Sequence, residues 1–158
     1  REVPPVGGAT EFVSTRAAFE ALSPDRQSEL ETLVVEHDLL RSRRDIGFHF
    51  TKEEAAKTPP VRHPLVQKNP ETGRKSMMIG AHASHIVDWP LEKGRALLAE
   101  LLDLATGPKA VYRHEWRTDD LIIWDNRAAL HRATRYDTQT HRRLMQRTTI
   151  SNPNAPRA

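Results

Sequence analysis

Two stretches near the end of the chain concentrate residues that could do chemistry. The first, Trp124-Asp125-Asn126-Arg127-Ala128-Ala129-Leu130-His131-Arg132-Ala133-Thr134, runs from an apolar segment into Asp, Asn, Arg and His. The second, His141-Arg142-Arg143-Leu144-Met145-Gln146-Arg147-Thr148-Thr149, opens with paired arginines. If residues 143–150 form a strand, Arg143 and Arg147 point to one face, while Arg142, Leu144 and Gln146 point to the other. Two guanidinium forks on one face suit carboxylates or sulfonates, which they grip bidentately. A pair of solvated or salt-bridged arginines satisfies the same spacing. His131 is either a metal ligand or an ordinary packed or surface histidine. Gly80-Ala81-His82-Ala83-Ser84-His85 contains H-x-x-H, which raises zinc. It has neither a neighbouring Glu nor a helical pattern, so two loop histidines lining a pocket or the surface fit equally well. H-E-x-x-H, a phosphate loop, G-x-S-x-G and the kinase signatures are all absent from the sequence.

The elements that must position these residues follow from period and punctuation. A turn-rich entry, Pro4-Pro5-Val6-Gly7-Gly8-Ala9-Thr10, leads into a strand at 10–13. Ser14 or Thr15 caps a short helix that turns Phe19 and Leu22 inward, and Ser23-Pro24 starts another. Leu30, Leu33, Val34 and His37 share one face of that second helix. Residues 41–60 read as a long loop with one helical turn at 51–57. Residues 61–68 and 75–80 read as strands joined by a hairpin at Asn69-Pro70-Glu71-Thr72-Gly73. Asp88 is the expected cap of a helix that buries Leu91, Leu97, Leu98, Leu101, Leu102 and Ala105 and stops at Gly107-Pro108. Strands are expected at 110–117, at 121–124 as a short apolar strand, and at 143–150, with a loop at 125–140. About six strands and two or three helices, without regular alternation, give an α+β fold that is mainly antiparallel β, as an open sheet or a barrel-like sandwich.

Composition narrows the function classes. The chain has 158 residues, the size of one domain or a large piece of one. It has no cysteine, which excludes disulfides, iron–sulfur clusters, thiolate zinc and a cysteine nucleophile. The 24 Lys and Arg are interleaved with 21 Asp and Glu, so no basic stripe points to nucleic acid. No run of ~18 or more apolar residues exists to span a membrane. Arg1-Glu2-Val3-Pro4-Pro5 has no apolar core of a secretory signal, so a cytoplasmic location is expected.

Several segments, in this order, carry a family resemblance: Gly7-Gly8-Ala9-Thr10-Glu11-Phe12, Ala18-Phe19-Glu20-Ala21-Leu22-Ser23, Glu36-His37, His63-Pro64-Leu65-Val66, Trp124-Asp125-Asn126-Arg127 with His131, and Arg142 through Thr149. Together they resemble the C-terminal half of the TauD/TfdA family of iron(II)- and 2-oxoglutarate-dependent dioxygenases, over residues 1–150, with 151–158 as a tail. Gly80-Ala81-His82-Ala83-Ser84-His85 and the segment 94–102 are most similar to its 2,4-dichlorophenoxyacetate dioxygenase branch. The resemblance implies a double-stranded β-helix, a jelly-roll barrel with flanking helices. It implies Fe(II) held by two His and one carboxylate, with His131 as the distal ligand and Trp124 packed near the metal. It assigns Arg143 and Thr10 to 2-oxoglutarate, Arg147 to the anion of the substrate, and His82 and His85 to the loop near that substrate. The partners it implies are O2, a small organic anion and, in some members, a second copy of the chain.

One part of the family pattern is missing. The other two iron ligands come from an H-x-D or H-x-E motif, a couple of dozen residues before Gly-Gly-x-Thr. No such motif occurs in this sequence. The expectation is therefore a C-terminal part of a longer protein, without its first barrel strands and inactive by itself. Two further readings stay open beside an aryloxyalkanoate-type dioxygenase. One is a sulfonate dioxygenase. The other is a protein without metal that binds anions through Arg143 and Arg147, or acidic partners through its surface.

Overall fold

A computed structural model describes residues 2–150; the tail expected at 151–158 lies outside them. The first strand, β1 (Thr10–Ser14), passes directly into helix α1 (Thr15–Glu20), because the Ser14 hydroxyl accepts the Ala17 N–H as an N-cap. Ser23 does the same for Arg26 at the start of α2 (Pro24–Glu31). Both starts match the sequence expectation.

The second helix does not reach His37. It ends at Glu31, and residues Val34–His37 form strand β2. The i, i+3, i+4 spacing suggested a helix. However, β-branched Val34 and Val35 pair on both sides, with β3 (Val61–Pro64) and β6 (Ala83–Ile86), and that ladder outweighs the local pattern. A further helix, α3 (Leu39–Arg44), capped by Asp38, runs into the start of the expected loop at 41–60, and within that loop the helical turn read at 51–57 is α4 (Lys52–Ala56), with a Thr51–Glu54 capping box. The expected strand at 61–68 is two strands. Leu65, fully buried, breaks it into β3 and β4 (Val66–Lys68), and β4 forms the predicted hairpin with β5 (Lys75–Met77).

Helix α5 (Leu91–Ala105) has Pro90 as its N-cap, in place of Asp88. Asp88 sits at φ 63, a left-handed turn that Asp tolerates better than most residues. Leu91 is exposed and Leu102 half-buried, while Leu97, Leu98, Leu101 and Ala105 carry the buried face. Gly94 lets this helix lie against β6. A Cβ there would come within 2.8 Å of the Ile86 backbone nitrogen. The core gathers Phe19, Leu30, Val35, Leu65, Met77, Ile86 and Leu101, with Leu130 packed against it.

The remaining strands are β7 (Tyr112–His114) and β8 (Ala129–Ala133). Two expected strands do not form. Residues 121–124 have no ladder partner among the described residues, and Leu121 and Ile123 are 83% and 85% exposed. Residues 143–150 carry only one isolated bridge, Glu2 to Leu144. Conversely, β8 lies inside the expected 125–140 loop.

The described strands form three antiparallel sheets, ordered β7-β1-β8, β3-β2-β6 and β4-β5. The fold is thus mixed α and antiparallel β. No ladder among the described residues closes the sheets into a barrel. No described helix is long and apolar enough to cross a membrane.

Candidate functional site

Strand register assembles the site. In the β7-β1-β8 sheet, Thr10 lies opposite His114 and Ala133, and Phe12 lies opposite Tyr112 and His131. Paired residues share a face and alternate ones leave it. Thr10, Phe12, His114 and His131 therefore project from one side. Glu11, Arg113 and Arg132 project from the other, where Glu11 accepts Arg132 Nε at 2.6 Å and Arg113 Nη1 at 3.2 Å. The hydrogen bond from Arg132, helped by Arg113, holds the Glu11 carboxyl below its usual range. That ion cluster fixes which face of the sheet carries the charges and which carries the imidazole.

His131 is exposed, with its ring centroid 5.0 Å from Trp124 and 6.2 Å from Phe12. Partial desolvation, and then the charge of Arg147, hold its pKa below the ordinary histidine range. The imidazole is therefore neutral at pH 7 and presents a lone pair. Trp124 reaches this face because residues 121–124 keep a period of two without a ladder: Leu121 and Ile123 point out, Ile122 and Trp124 in. The Trp124 indole also meets Phe12 edge-on at 5.3 Å. Asp125, next to it, is a turn former. Its carboxylate accepts from Arg127 N, Nε and Nη2, and the Arg127 hydrogen bond holds it below the usual carboxylate range.

Arg143 is placed by a glycine. Its Nε donates to Gly8 O at 3.0 Å. Gly8 has φ +66, and a Cβ on it would come within 2.8 Å of Pro4 Cγ and 3.2 Å of Arg143 Cδ. With Nε committed to the backbone, the two Nη groups carry whatever bidentate recognition the fork provides. Arg147 is exposed, and its charge is felt at His131. The two arginines are not held by a strand, so strand alternation does not put them on one face: Arg143 is placed by Gly8, and Arg147 is within electrostatic reach of His131.

Thr10 is 8% exposed, and its Oγ1 accepts the indole Nε1–H of Trp116 at 2.8 Å. Trp116 is the residue that sequence reasoning missed. The available signal was an indole two positions beyond β7, on the parity of Tyr112 and His114, with an N–H that needs a partner once buried.

The structure therefore brings Thr10, Trp124 and His131 to one face, with Arg143 and Arg147 beside it. His82 and His85 lie away from this face: His85 is in the second sheet, and His82 is in the turn just before β6. His82 Nδ1 lies 2.7 Å from Ser42 Oγ, and burial and then Arg43 lower its pKa. His85 lies on strand β6, not on a loop. Its Nδ1 is 3.2 Å from Ser84 Oγ and 3.9 Å from Glu36 Oε1. Nearby, His37 packs 5.7 Å from His63, with Nε2 buried and unbonded among the described residues. Desolvation, followed by His63 and His82, brings its pKa down to about 4.

No three His, Asp or Glu side chains among the described residues come together as a metal-binding group. The donor set on this side is a hydroxyl, a guanidinium and one imidazole, groups that can receive an anion and give a metal one nitrogen. It does not fit a complete iron centre.

Fold and site together define a mixed α and antiparallel β protein that presents a neutral imidazole beside hydroxyl and guanidinium donors. The chain belongs to the taurine catabolism dioxygenase TauD, TfdA family, whose model matches residues 1–149. It is 49% identical over 151 residues to the alpha-ketoglutarate-dependent 2,4-dichlorophenoxyacetate dioxygenase of Cupriavidus pinatubonensis, covering 95% of this chain and 53% of that protein. It is 40% identical to the (S)-phenoxypropionate/alpha-ketoglutarate-dioxygenase of Sphingobium herbicidovorans, covering 94% and 54%. Among solved structures, AAD-2 in complex with Mn(II) and N-oxalylglycine superposes with a TM-score of 0.83 at 43% identity, covering 89% of this chain and 56% of that one. The chain thus spans about half the length of the relatives it matches.

Proposed function

We propose that these residues form the cosubstrate and substrate-anion side of an Fe(II)- and 2-oxoglutarate-dependent dioxygenase. Its substrate is a small organic anion, an aryloxyalkanoate-like carboxylate of the kind named for the relatives above. The observation that carries this reading is the common face of Thr10 and His131, flanked by Arg143 on Gly8 and by Arg147.

His131 would supply one nitrogen ligand. The remaining two ligands, and the strands that close a jelly-roll barrel, would come from outside these 158 residues, so the chain alone is inactive. Iron and 2-oxoglutarate, when bound, supply the oxidising power, with succinate and CO2 as products and one oxygen of O2 entering a substrate C–H bond. The protein's own work is orientation. Arg143 and Thr10 hold the far carboxylate of 2-oxoglutarate. Arg147 holds the substrate anion so that one C–H bond faces the metal. The hydrophobic wall of Phe12 and Trp124 limits water around His131.

The test is anaerobic addition of Fe(II) and 2-oxoglutarate, read as a charge-transfer absorption band. The band is expected in a protein that joins these residues to an H-x-D/E-bearing segment, and not in the 158-residue chain. A joined protein without the band, and without succinate formation in air, would overturn the reading. The metal-free alternative rests on the guanidinium groups of Arg143 and Arg147 alone, with Arg143 Nε on Gly8 O. It predicts carboxylate binding by the 158-residue chain that is unchanged by metal.

A further inference from the structure

The hydrogen bond between Trp116 and Thr10 joins two residues 106 positions apart, and neither belongs to the constellation read from the sequence as a pair. An indole N–H is a donor only, so its proton cannot turn to any ligand while it is held by Thr10. A threonine hydroxyl has two lone pairs and one proton. With one lone pair taken by Trp116, the hydroxyl keeps its proton for an acceptor elsewhere, and the torsion about its C–O bond is restricted.

The indole is itself held. The His114 ring, directly opposite Thr10 in register, meets it edge-on, with centroids 4.6 Å apart at 83°. His114 Nε2 lies 3.0 Å from Asp120 Oδ2, and the same oxygen accepts the Arg117 N–H at 2.8 Å. That backbone bond, then His114, holds the Asp120 carboxyl below its usual range. A tight turn, with Asp119 at φ 71, brings Asp120 back to this point. Four side chains thus run in series from the turn to the candidate site: Asp120, His114, Trp116, Thr10.

We propose that Trp116 is a positioning residue for Thr10. It occupies one lone pair of the hydroxyl and so aims the hydroxyl proton at the carboxylate of the cosubstrate, with His114 and Asp120 locking the indole. This rests on the assignment of Thr10 and Arg143 to 2-oxoglutarate.

The test is a double-mutant cycle in the protein that joins these residues to an H-x-D/E-bearing segment, with N-oxalylglycine binding in the presence of Mn(II) measured by calorimetry. Trp116→Phe keeps the ring against His114 and removes the donor. It is expected to raise the Kd for N-oxalylglycine about 5- to 10-fold, the usual worth of one hydrogen bond, and to leave the affinity for Mn(II) alone unchanged. Thr10→Val has a similar effect, and the double variant is no worse than Thr10→Val. In a Thr10→Ser background, which keeps the hydroxyl, Trp116→Phe again weakens binding. Asp120→Ala reaches the same bond without touching the indole. It is expected to weaken N-oxalylglycine in the Thr10 protein and not in the Thr10→Val protein.

Two results overturn the proposal while the cosubstrate reading stands. One is that Thr10→Val weakens binding while Trp116→Phe and Asp120→Ala do not. The other is that the Thr10→Val and Trp116→Phe effects simply add. If Thr10→Val and Arg143→Ala both bind as the parent does, the cosubstrate reading fails and takes the proposal with it.

Discussion

Thr10 and His131 leave the same face of one sheet, two register positions apart, with Thr10 opposite Ala133 and His131 opposite Phe12. Two positions along a strand are about 7 Å, the separation at which a small dicarboxylate can touch a hydroxyl at one end and a metal ligated by the imidazole at the other. The two arginines divide the remaining charge. Arg143 is tied to Gly8, near Thr10, while Arg147 is felt at His131. If the proposed function holds, Arg143→Ala, in a protein that joins these residues to an H-x-D/E-bearing segment, is expected to raise the KM for 2-oxoglutarate at least 10-fold with little change for the primary substrate. Arg147→Ala should do the reverse. Steady-state kinetics with each substrate varied in turn check this, and interchanged effects would remove both assignments.

Gly8 couples a backbone conformation that glycine adopts freely to the placement of Arg143. Gly8→Ala places a Cβ 2.8 Å from Pro4 Cγ and 3.2 Å from Arg143 Cδ, at a positive φ. It is expected to cost about 1 kcal/mol or more in stability and, under the proposed function, to weaken 2-oxoglutarate in the joined protein. Thermal unfolding and cosubstrate titration measure the two effects, and a variant that keeps both at parental values would show that Gly8 does not set Arg143.

His37 gives the fold an acid-sensitive point. Its folded-state pKa is about 4, brought down by burial and then by His63 and His82, against an ordinary value near 6.5. The unfolded chain therefore binds a proton that the folded chain refuses. Stability is complete above about pH 6.5 and falls as pH drops from there towards 4. Urea unfolding across this range should show the loss, and His37→Phe, which keeps a ring against His63, should flatten it.

Core and surface leucine-type residues should separate cleanly. Leu101 is fully buried among Phe19, Ile86 and Leu97, so Leu101→Ala is expected to cost about 2–5 kcal/mol. Ile123 is 85% exposed, and Ile123→Lys is expected to stay within about 0.5 kcal/mol of the parent. Chemical denaturation of the two variants side by side checks the placement of both segments.

Much of the local architecture was legible in the sequence, because it depends on contacts within a few residues. The Ser14 and Ser23 caps and the 69–73 hairpin turn follow from side chains that bond their own backbone neighbours, and the stop of α5 follows from Gly107-Pro108, which does not continue a helix. The chemical inventory was legible too: one imidazole after an apolar run, two arginines four apart, and a threonine after paired glycines.

Tertiary structure alone decided which of these residues meet. Val34–His37 became a strand because two partners flank it, and 143–150 did not because no described strand pairs beyond Leu144. A ladder is a property of two segments, so one segment's period cannot announce it. The Trp116–Thr10 bond spans 106 residues, and the shared face of Thr10 and His131 depends on a register between β1 and β8, more than 100 residues apart. A one-residue slip there would send the imidazole to the side of Glu11, and nothing local to either strand forbids it. That register is supported by the burial of Val13, the half-buried Leu130 packed against the core, and the ion pairs of Glu11 with Arg113 and Arg132, contacts that exist only once the chain has folded.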